Sequence, residues 1–385
     1  MKRLPIIFLS LFMLLTGCMR EPELHLYEGG EVDVVMPFFE LNLETYWNYE
    51  LVYGVEYDWK AEWRYGWDEL DVRTFGEIGY TLPSVYNIRR YYTGTVPGAP
   101  HTTVLSDQIY SNFFSGRYDW GFWDVLIWND IVTKDDVQSL IFDEATTLDS
   151  VFAFTNQSMR STRYEAPKYT RAFYAPEELY SAYVQGVDIN PNLDGFEYDE
   201  ERHVWVKKLD MVLAPITYIY LTQVILHNNR GRVTGIDGAS NLSGMSRSTN
   251  INTGKAGPDN ITVAYNSLFK TGCDNDGETV DIAGGRLLTF GICNLAANKV
   301  TSPDQIKDNN SHYMDINFRF SNGMDSTFVF NVTDQVRKRF KGGVITVELD
   351  MDTVPIPKRK GGSGFDAVVK DYENGGVHEF ELKNE

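Results

Sequence analysis

The residues best placed to do chemistry stand at the start of the chain. Leu15-Thr16-Gly17-Cys18 has the form of a lipobox, preceded by Lys2 and Arg3 and by an apolar run from Leu4 to Leu15. A thiol at a new N-terminus accepts acyl chains, and small residues before it leave the bond open to a signal peptidase. The apolar run falls short of the roughly twenty residues a spanning helix needs, so it reads as the core of an export signal. Lipidation at Cys18 would attach the chain stably, because several acyl chains bury far more methylene than one. Met19 rather than Asp after the cysteine points to the outer membrane, and Glu21-Pro22-Glu23 to display at the cell surface.

Elsewhere the chemistry is sparse. Six histidines (His25, His101, His203, His227, His312 and His378) fall in no metal-ligand spacing, and His378-Glu379 lacks the second His of a zinc-protease helix. No nucleophile elbow, phosphate loop or dinucleotide fingerprint occurs. Asp274-Asn275-Asp276-Gly277-Glu278 resembles the start of a calcium loop without its distal bidentate Glu, and reads as a solvated turn. The expectation is a chain that is not an enzyme and that holds neither metal nor cofactor.

Two further groups of residues leave alternatives open. With Cys18 used for lipid, Cys273 and Cys293 remain as an even pair in an exported chain, either a disulfide or two buried thiols. A bridge closing about twenty residues would contribute roughly 3 kcal/mol. Tyr46, Trp47, Tyr49, Tyr53, Tyr57, Trp59, Trp63, Tyr65 and Trp67 are crowded into one stretch. Exposed, the rings of Trp47, Trp59, Trp63 and Trp67 would stack on sugars or anchor a protein partner. Buried, they would fill a β core, and the structural reading is the preferred one.

The elements that must position these residues are strands. Aromatic residues make up 14% of the chain and there are 32 glycines, a mixture that favours strands and turns over helices. Period-two alternation runs through 31–36 and 41–45, and short apolar runs follow at 85–88, 125–128 and 151–154. Pro176-Glu177-Glu178-Leu179-Tyr180-Ser181-Ala182-Tyr183 reads as the best short helix. His203 to Leu213 and Ile216 to His227 read as the strongest pair of strands, divided by Ala214-Pro215, and 228–260 as long loops with short strands between them. Further strands are expected over 286–293, 313–320, 327–332, 343–349 and 365–369. The length exceeds what one core usually serves. The expected organisation is therefore all-β: signal peptide 1–17, lipidated linker 18–30, and two β-sandwich domains over 31–204 and 205–385.

Removing 1–17 takes away Lys2 and Arg3 and no acid, which leaves 33 basic residues against 54 acidic ones, a net charge of −21. Such a surface repels phosphate backbones and anionic lipid, so nucleic acid is excluded as a partner and membrane attachment must come from the lipid.

Several C-terminal segments carry a family resemblance. Val204 to Leu226 looks like the paired strands that begin the second domain of the fimbrillin, or type V pilin, superfamily. Gly238-Ala239-Ser240-Asn241-Leu242-Ser243-Gly244-Met245 is similar to its small-residue segment. Phe328-Val329-Phe330-Asn331-Val332-Thr333-Asp334-Gln335-Val336 resembles a family strand running into a turn, and Gly361 to Tyr372 resembles its closing strand. The resemblance implies two transthyretin-like β-sandwich domains in tandem. It also implies a fimbrial anchor or accessory subunit that meets pilin subunits or other outer-membrane proteins by β-strand addition. A glycan-binding surface lipoprotein of a polysaccharide-uptake system is the alternative, with the aromatic stretch as its binding surface.

Overall fold

The alternating and apolar runs become strands, and three helices of at most seven residues punctuate them. The structure, a computed structural model, describes residues 41–49, 59–131, 139–144, 149–157, 172–300, 302–306, 309–357 and 377–381. The signal peptide, Cys18, the linker and the strands expected at 31–36 and 365–369 lie outside the described residues, as do Tyr53 and Tyr57.

The first strands are β1 (Leu41–Tyr49), β2 (Tyr86–Gly94), β3 (Thr103–Ile109), β4 (Phe113–Arg117), β5 (Gly121–Asn129), β6 (Leu140–Asp143), β7 (Phe152–Thr155) and β8 (Ala172–Tyr174). Then come β9 (Tyr180–Ile189), β10 (Glu197–Asp199), β11 (Val204–Pro215), β12 (Tyr218–His227), β13 (Val233–Ile236), β14 (Ser240–Ser246), β15 (Ser248–Asn250) and β16 (Lys255–Ala256). The last are β17 (Asn260–Tyr265), β18 (Leu268–Asn275), β19 (Glu278–Thr289), β20 (Tyr313–Phe320), β21 (Asp325–Asn331), β22 (Gly343–Asp350) and β23 (Val377–Glu381). The helices are α1 (Trp59–Glu62), α2 (Glu69–Phe75) and α3 (Thr333–Lys338).

An eight-stranded sheet has the order β3-β2-β5-β9-β11-β1-β4, with β10 on β11. β1 runs parallel to β11 from Leu41 against Trp205 to Tyr49 against Leu213, and only Ala214 and Pro215 reach across to β9. Leu43, Trp47, Ile88, Val125, Ile127, Met211 and Leu213 share the core that this sheet encloses. The opposite faces of β2 and β5 send Tyr91, Leu126 and Trp128 into a second cluster with Leu140 of β6 and Ala153 of β7. Both faces of β5 are covered, which explains its unbroken apolar run.

A four-stranded sheet, β18-β19-β12-β22, packs on a seven-stranded one, β23-β21-β20-β14-β17-β8 with β13 on β20. This is a β-sandwich: Tyr220, Val224 and Leu226 of β12 and Ile345 and Val347 of β22 meet Leu242, Val263, Ile316, Phe318, Phe328 and Phe330 from the facing sheet. Each such side chain, fully buried, contributes about 1.5–3 kcal/mol of transfer free energy. The other face of β12, with Ile219, Leu221 and Ile225, lies under Trp63 and Tyr65. Tyr65 rests so closely on β19 that a Cβ at Gly284 would come within 2.6 Å of its ring. Residues 41–385 form one compact unit, in which the chain leaves the eight-stranded sheet after Pro215 and enters the four-stranded sheet at Tyr218.

Two expectations are corrected. Residues 176–183 form no helix: Tyr180–Ile189 is β9, and the preceding residues spend their backbone groups on tertiary partners. Leu179 N–H donates to Thr217 Oγ1 at 2.9 Å, Ile216 N–H to Leu179 O at 2.8 Å, and Tyr180 N–H to Asn129 Oδ1 at 2.7 Å. Secondly, β11 and β12 do not pair with each other but stand in different sheets, since Ala214-Pro215 lacks the turn residues a tight hairpin needs. The stretch 228–260 holds short strands, as expected, and one of them, β14, is buried along its whole length, with small polar residues bonded inside beside Leu242 and Met245. Ser240 Oγ meets Ser267 Oγ at 2.6 Å and Asn241 Nδ2 donates to Asp315 Oδ1 at 2.7 Å. Its Gly244 has φ +84° at a bulge, and a Cβ there would lie 2.6 Å from Ser311 O and 2.7 Å from His312 Nδ1. A glycine is the residue that meets both demands.

Candidate functional site

Of the four tryptophans singled out by spacing, none projects freely into solvent. Trp47, on β1, is 1% exposed and packs edge-on to Tyr86 with centroids 5.1 Å apart. Trp63 is buried, and Trp59 and Trp67 are half-buried against the outer face of the four-stranded sheet. Trp63 and Trp67 stand 6.4 Å apart, and Trp67 leans on Phe75 at 5.4 Å. The stretch is thus divided: Trp59, Trp63, Tyr65 and Trp67 cover β12 and β19, while on β1 Trp47 fills the core of the eight-stranded sheet and Tyr46 is 38% exposed.

That cover is fastened by a charged cluster which sequence reasoning did not single out. Asp68 caps α2, accepting the N–H groups of Leu70 at 2.9 Å and Asp71 at 3.1 Å, while Asp71 accepts Asp68 N–H at 2.8 Å. The carboxylate of Asp71 is fully buried; it also takes the Tyr65 hydroxyl at 2.9 Å and the Lys270 ammonium. Lys270 bonds Asp68 at 2.8 Å and lies 4.2 Å from the centre of the Tyr65 ring. The bond from Lys270 leads the effects that draw the Asp68 carboxyl down to about 2. Burial works against the charge on Lys270, but its two carboxylate bonds outweigh it and the ammonium is held above its ordinary value. Burial and the bond to Asp71 push the Tyr65 phenol well up, so it stays a donor. The Asp68-Glu69-Leu70-Asp71 spacing of a capping box was the available clue.

The cysteines do not join. Neither forms a disulfide: Cys273 lies half-buried on β18 beside the aromatic cover, and Cys293 is buried beyond the end of β19, its Sγ 2.5 Å from Asn260 Oδ1. Of the two alternatives the sequence left open, the structure has two separate thiols, Cys293 buried and Cys273 half-buried.

Asp-His pairs do occur, but in closed form. His101 Nε2 lies 2.9 Å from Asp124 Oδ2 and its Nδ1 lies 2.9 Å from Asp149 Oδ1, while the ring stacks on Tyr91 at 4.6 Å. Asp124 also accepts the Tyr183 hydroxyl at 2.9 Å and Gly186 N–H at 2.8 Å. Burial pushes the Tyr183 phenol up, so it too remains a donor. A base that activates a nucleophile needs one ring nitrogen facing a hydroxyl or thiol, and here both face carboxylates. His227 repeats the pattern between Glu278 at 3.0 Å and Glu348 at 3.6 Å. Asp274–Glu278 forms the β18–β19 turn, with Gly277 N–H on Asp274 Oδ1 at 3.0 Å.

A groove of about 790 Å³ lies between α2, the 174–180 connection and β19. Its charged floor is a buried pair: Arg286 Nη2 stands 2.7 Å from Glu178 Oε1. Glu178 Oε2 accepts both Thr81 N–H at 2.8 Å and Thr81 Oγ1–H at 2.7 Å. Neighbouring Glu177 accepts Ser139 N–H at 2.7 Å and Leu140 N–H at 3.0 Å. Val72 and Leu82 are exposed on its rim. Among the described residues no helix is long and apolar enough to cross a membrane.

No protein-family model matches the chain, and no curated protein matches it. Solved structures give distant likenesses. A candidate adhesin from Bacteroides ovatus is 13% identical with a TM-score of 0.45, over 81% of this chain and 93% of that one. A candidate adhesin from Bacteroides thetaiotaomicron is 10% identical with a TM-score of 0.44, over 80% and 91%. A fimbrial anchor protein from Porphyromonas gingivalis is 8% identical with a TM-score of 0.35, over 80% and 90%. The chain is similar to these adhesion and fimbrial proteins at a level that leaves its function to be argued from its own residues.

Proposed function

We propose that the chain is a non-enzymatic, lipid-anchored subunit of the outer membrane, acting as the anchor or an accessory part of a fimbria in pilus assembly and cell adhesion. One observation carries the reading. Of the fimbrillin-like segments within the described residues, Tyr218–Leu226, Ser240–Met245 and Phe328–Val336 lie on β12, β14, β21 and α3 and contribute walls to one sandwich core, while the Val204–Pro215 part of the first segment is β11 of the eight-stranded sheet. The lipobox at Cys18 supports retention at the membrane. Parallel addition of β23 to β21, from Thr327 against Val377 to Asn331 against Glu381, supports strand addition as the way this sheet extends. Burial of Trp47 and Trp63, and of much of Trp59 and Trp67, supports this reading over the glycan alternative.

The test is affinity capture of the native lipoprotein from outer membranes, together with deletion of its gene. Co-purified β-sandwich pilin subunits and fibres that detach from the deletion strain are the expected result. Unchanged fibres, or a partner set of polysaccharide transporters, would overturn it. Replacing Cys18 by Ala should move the protein out of the membrane fraction.

A further inference from the structure

We propose that the edge of β3, unpaired among the described residues, is a self-association surface, at which two copies of the chain join their eight-stranded sheets across a twofold axis through Ser106. Exposed strand edges invite pairing, and folded proteins guard them with side chains, bulges, charge or brevity. The other edges carry such guards. On β22, Gln335 donates from Nε2 to Thr346 O at 2.8 Å and accepts Thr346 N–H at 2.9 Å, imitating a neighbouring strand. β18 has a bulge between Lys270 and Cys273. On β4, the carbonyl of Phe113 is taken by Ser111 Oγ at 3.0 Å and that of Arg117 by Arg90 Nη1 at 3.1 Å. β8 and β16 are short and meet Gln157 and Ala296 in isolated bridges, and β6 and β23 have only four and five residues.

β3 has none of these features. Its seven residues pair with β2 in unbroken register from Tyr86 against Ile109 to Tyr92 against Thr103. It contains no proline, lysine or arginine, and among the described residues no side chain bonds its backbone. Its polar side chains lean inward, Asp107 onto Arg90 at 2.6 Å and Gln108 onto Asp130 at 3.0 Å, which clears the rim.

Charge selects the occupant. The chain as a whole is acidic, but the one ionised group on β3, Asp107, is neutralised by Arg90. In an antiparallel pair centred on Ser106, Asp107 faces Leu105 of the other copy rather than its own equivalent. Val104 faces Gln108, and Thr103 faces Ile109. Leu105 is 38% exposed and gains cover. Val104 and Ile109 pack on the two opposite clusters of the sheet, so pairing would extend both layers at once. A twofold arrangement of this kind closes on itself.

The test is sedimentation velocity on the chain from Met19 onward, at concentrations up to about 0.2 mM, because an interface of modest area associates weakly. The expected result is a dimer that grows with concentration. Ser106→Lys sets two ammonium groups opposite each other and should raise the dissociation constant at least about tenfold, since like charges directly opposed oppose pairing. Leu105→Asp, which meets Asp107 of the other copy, should act in the same direction. Both positions are exposed, so the urea midpoint should stay at the wild-type value and separate lost pairing from lost folding. A wild-type chain that stays monomeric throughout overturns the proposal. So does a dimer that survives Ser106→Lys, which would direct attention to another surface.

Discussion

The guanidinium of Arg286 on β19 and the carboxylate of Glu178, on the connection before β9, lie 2.7 Å apart with side chains 8% and 16% exposed. Arg286 also donates to Gly79 O at 3.1 Å, and Glu178 holds Thr81. One ion pair therefore fastens three chain segments that are distant in sequence. Removing one partner leaves a buried charge uncompensated, so Glu178→Ala should cost about 3–5 kcal/mol in urea unfolding. The double change Glu178→Leu with Arg286→Met should recover part of that loss.

Acid should release the α2 cover. Asp68 is drawn down to about 2 chiefly by Lys270. A carboxyl whose folded value lies below its unfolded value of about 3.9 adds stability that is fully present above the unfolded value and fades as pH falls toward the folded one. Fluorescence of Trp63 and Trp67 should therefore change between about pH 4 and pH 2, and Asp68→Asn should abolish that step while leaving the signal at pH 7 similar. A flat trace in the wild type would refute this fastening role.

Trp47→Ala should destabilise the eight-stranded sheet by about 3–5 kcal/mol, as expected for truncating a fully buried indole. Trp59→Ala, at a half-buried position, should cost less. The measurement is the pair of urea midpoints, and equal shifts would contradict the burial difference.

Gln335→Ala should uncover the β22 edge. The two lost bonds to Thr346 are worth about 1 kcal/mol each, so the fold should survive. Light scattering at high concentration should rise relative to wild type, because a guarded edge has become available.

Thiol labelling should report both cysteines in unfolded protein without reductant. In the native state Cys293 should be protected by burial and Cys273 slow, because burial pushes its thiol up and away from the reactive thiolate. A chain with no titratable thiol after unfolding would restore the disulfide.

The parts of this fold that could be read from sequence are those where one physical effect dominates. Val125-Leu126-Ile127-Trp128 and Ile219 to Leu226 are apolar at every step or nearly so, and both lie in strands covered on two faces. β14 escaped because its burial rests on Ser-Ser and Asn-Asp hydrogen bonds between distant residues, which apolar counting does not register. The 176–183 segment misled for the converse reason: its local preference is helical, but Asn129 and Thr217 claim its backbone N–H groups. The aromatic stretch was correctly narrowed to cover or platform, yet only the position of β12 beneath Trp63 and Tyr65 decides between them. The charged fastenings, Asp71 with Lys270 and Glu178 with Arg286, join residues so far apart in the chain that spacing holds no trace of them.

The parallel pairings impose an order of events on biosynthesis. β1 meets β11, β12 meets β22 and β21 meets β23, so each early strand waits for a partner made much later. While ribosomes are still extending the chain, Leu41–Tyr49 has no parallel neighbour until Val204–Pro215 exists, and Asp325–Asn331 none until Val377–Glu381 follows. Such non-local closure is slow, in the range of milliseconds to seconds for β-rich domains. Nascent chains therefore pass through an interval with bare strand edges, the kind of surface that a holding chaperone for extended polypeptide binds.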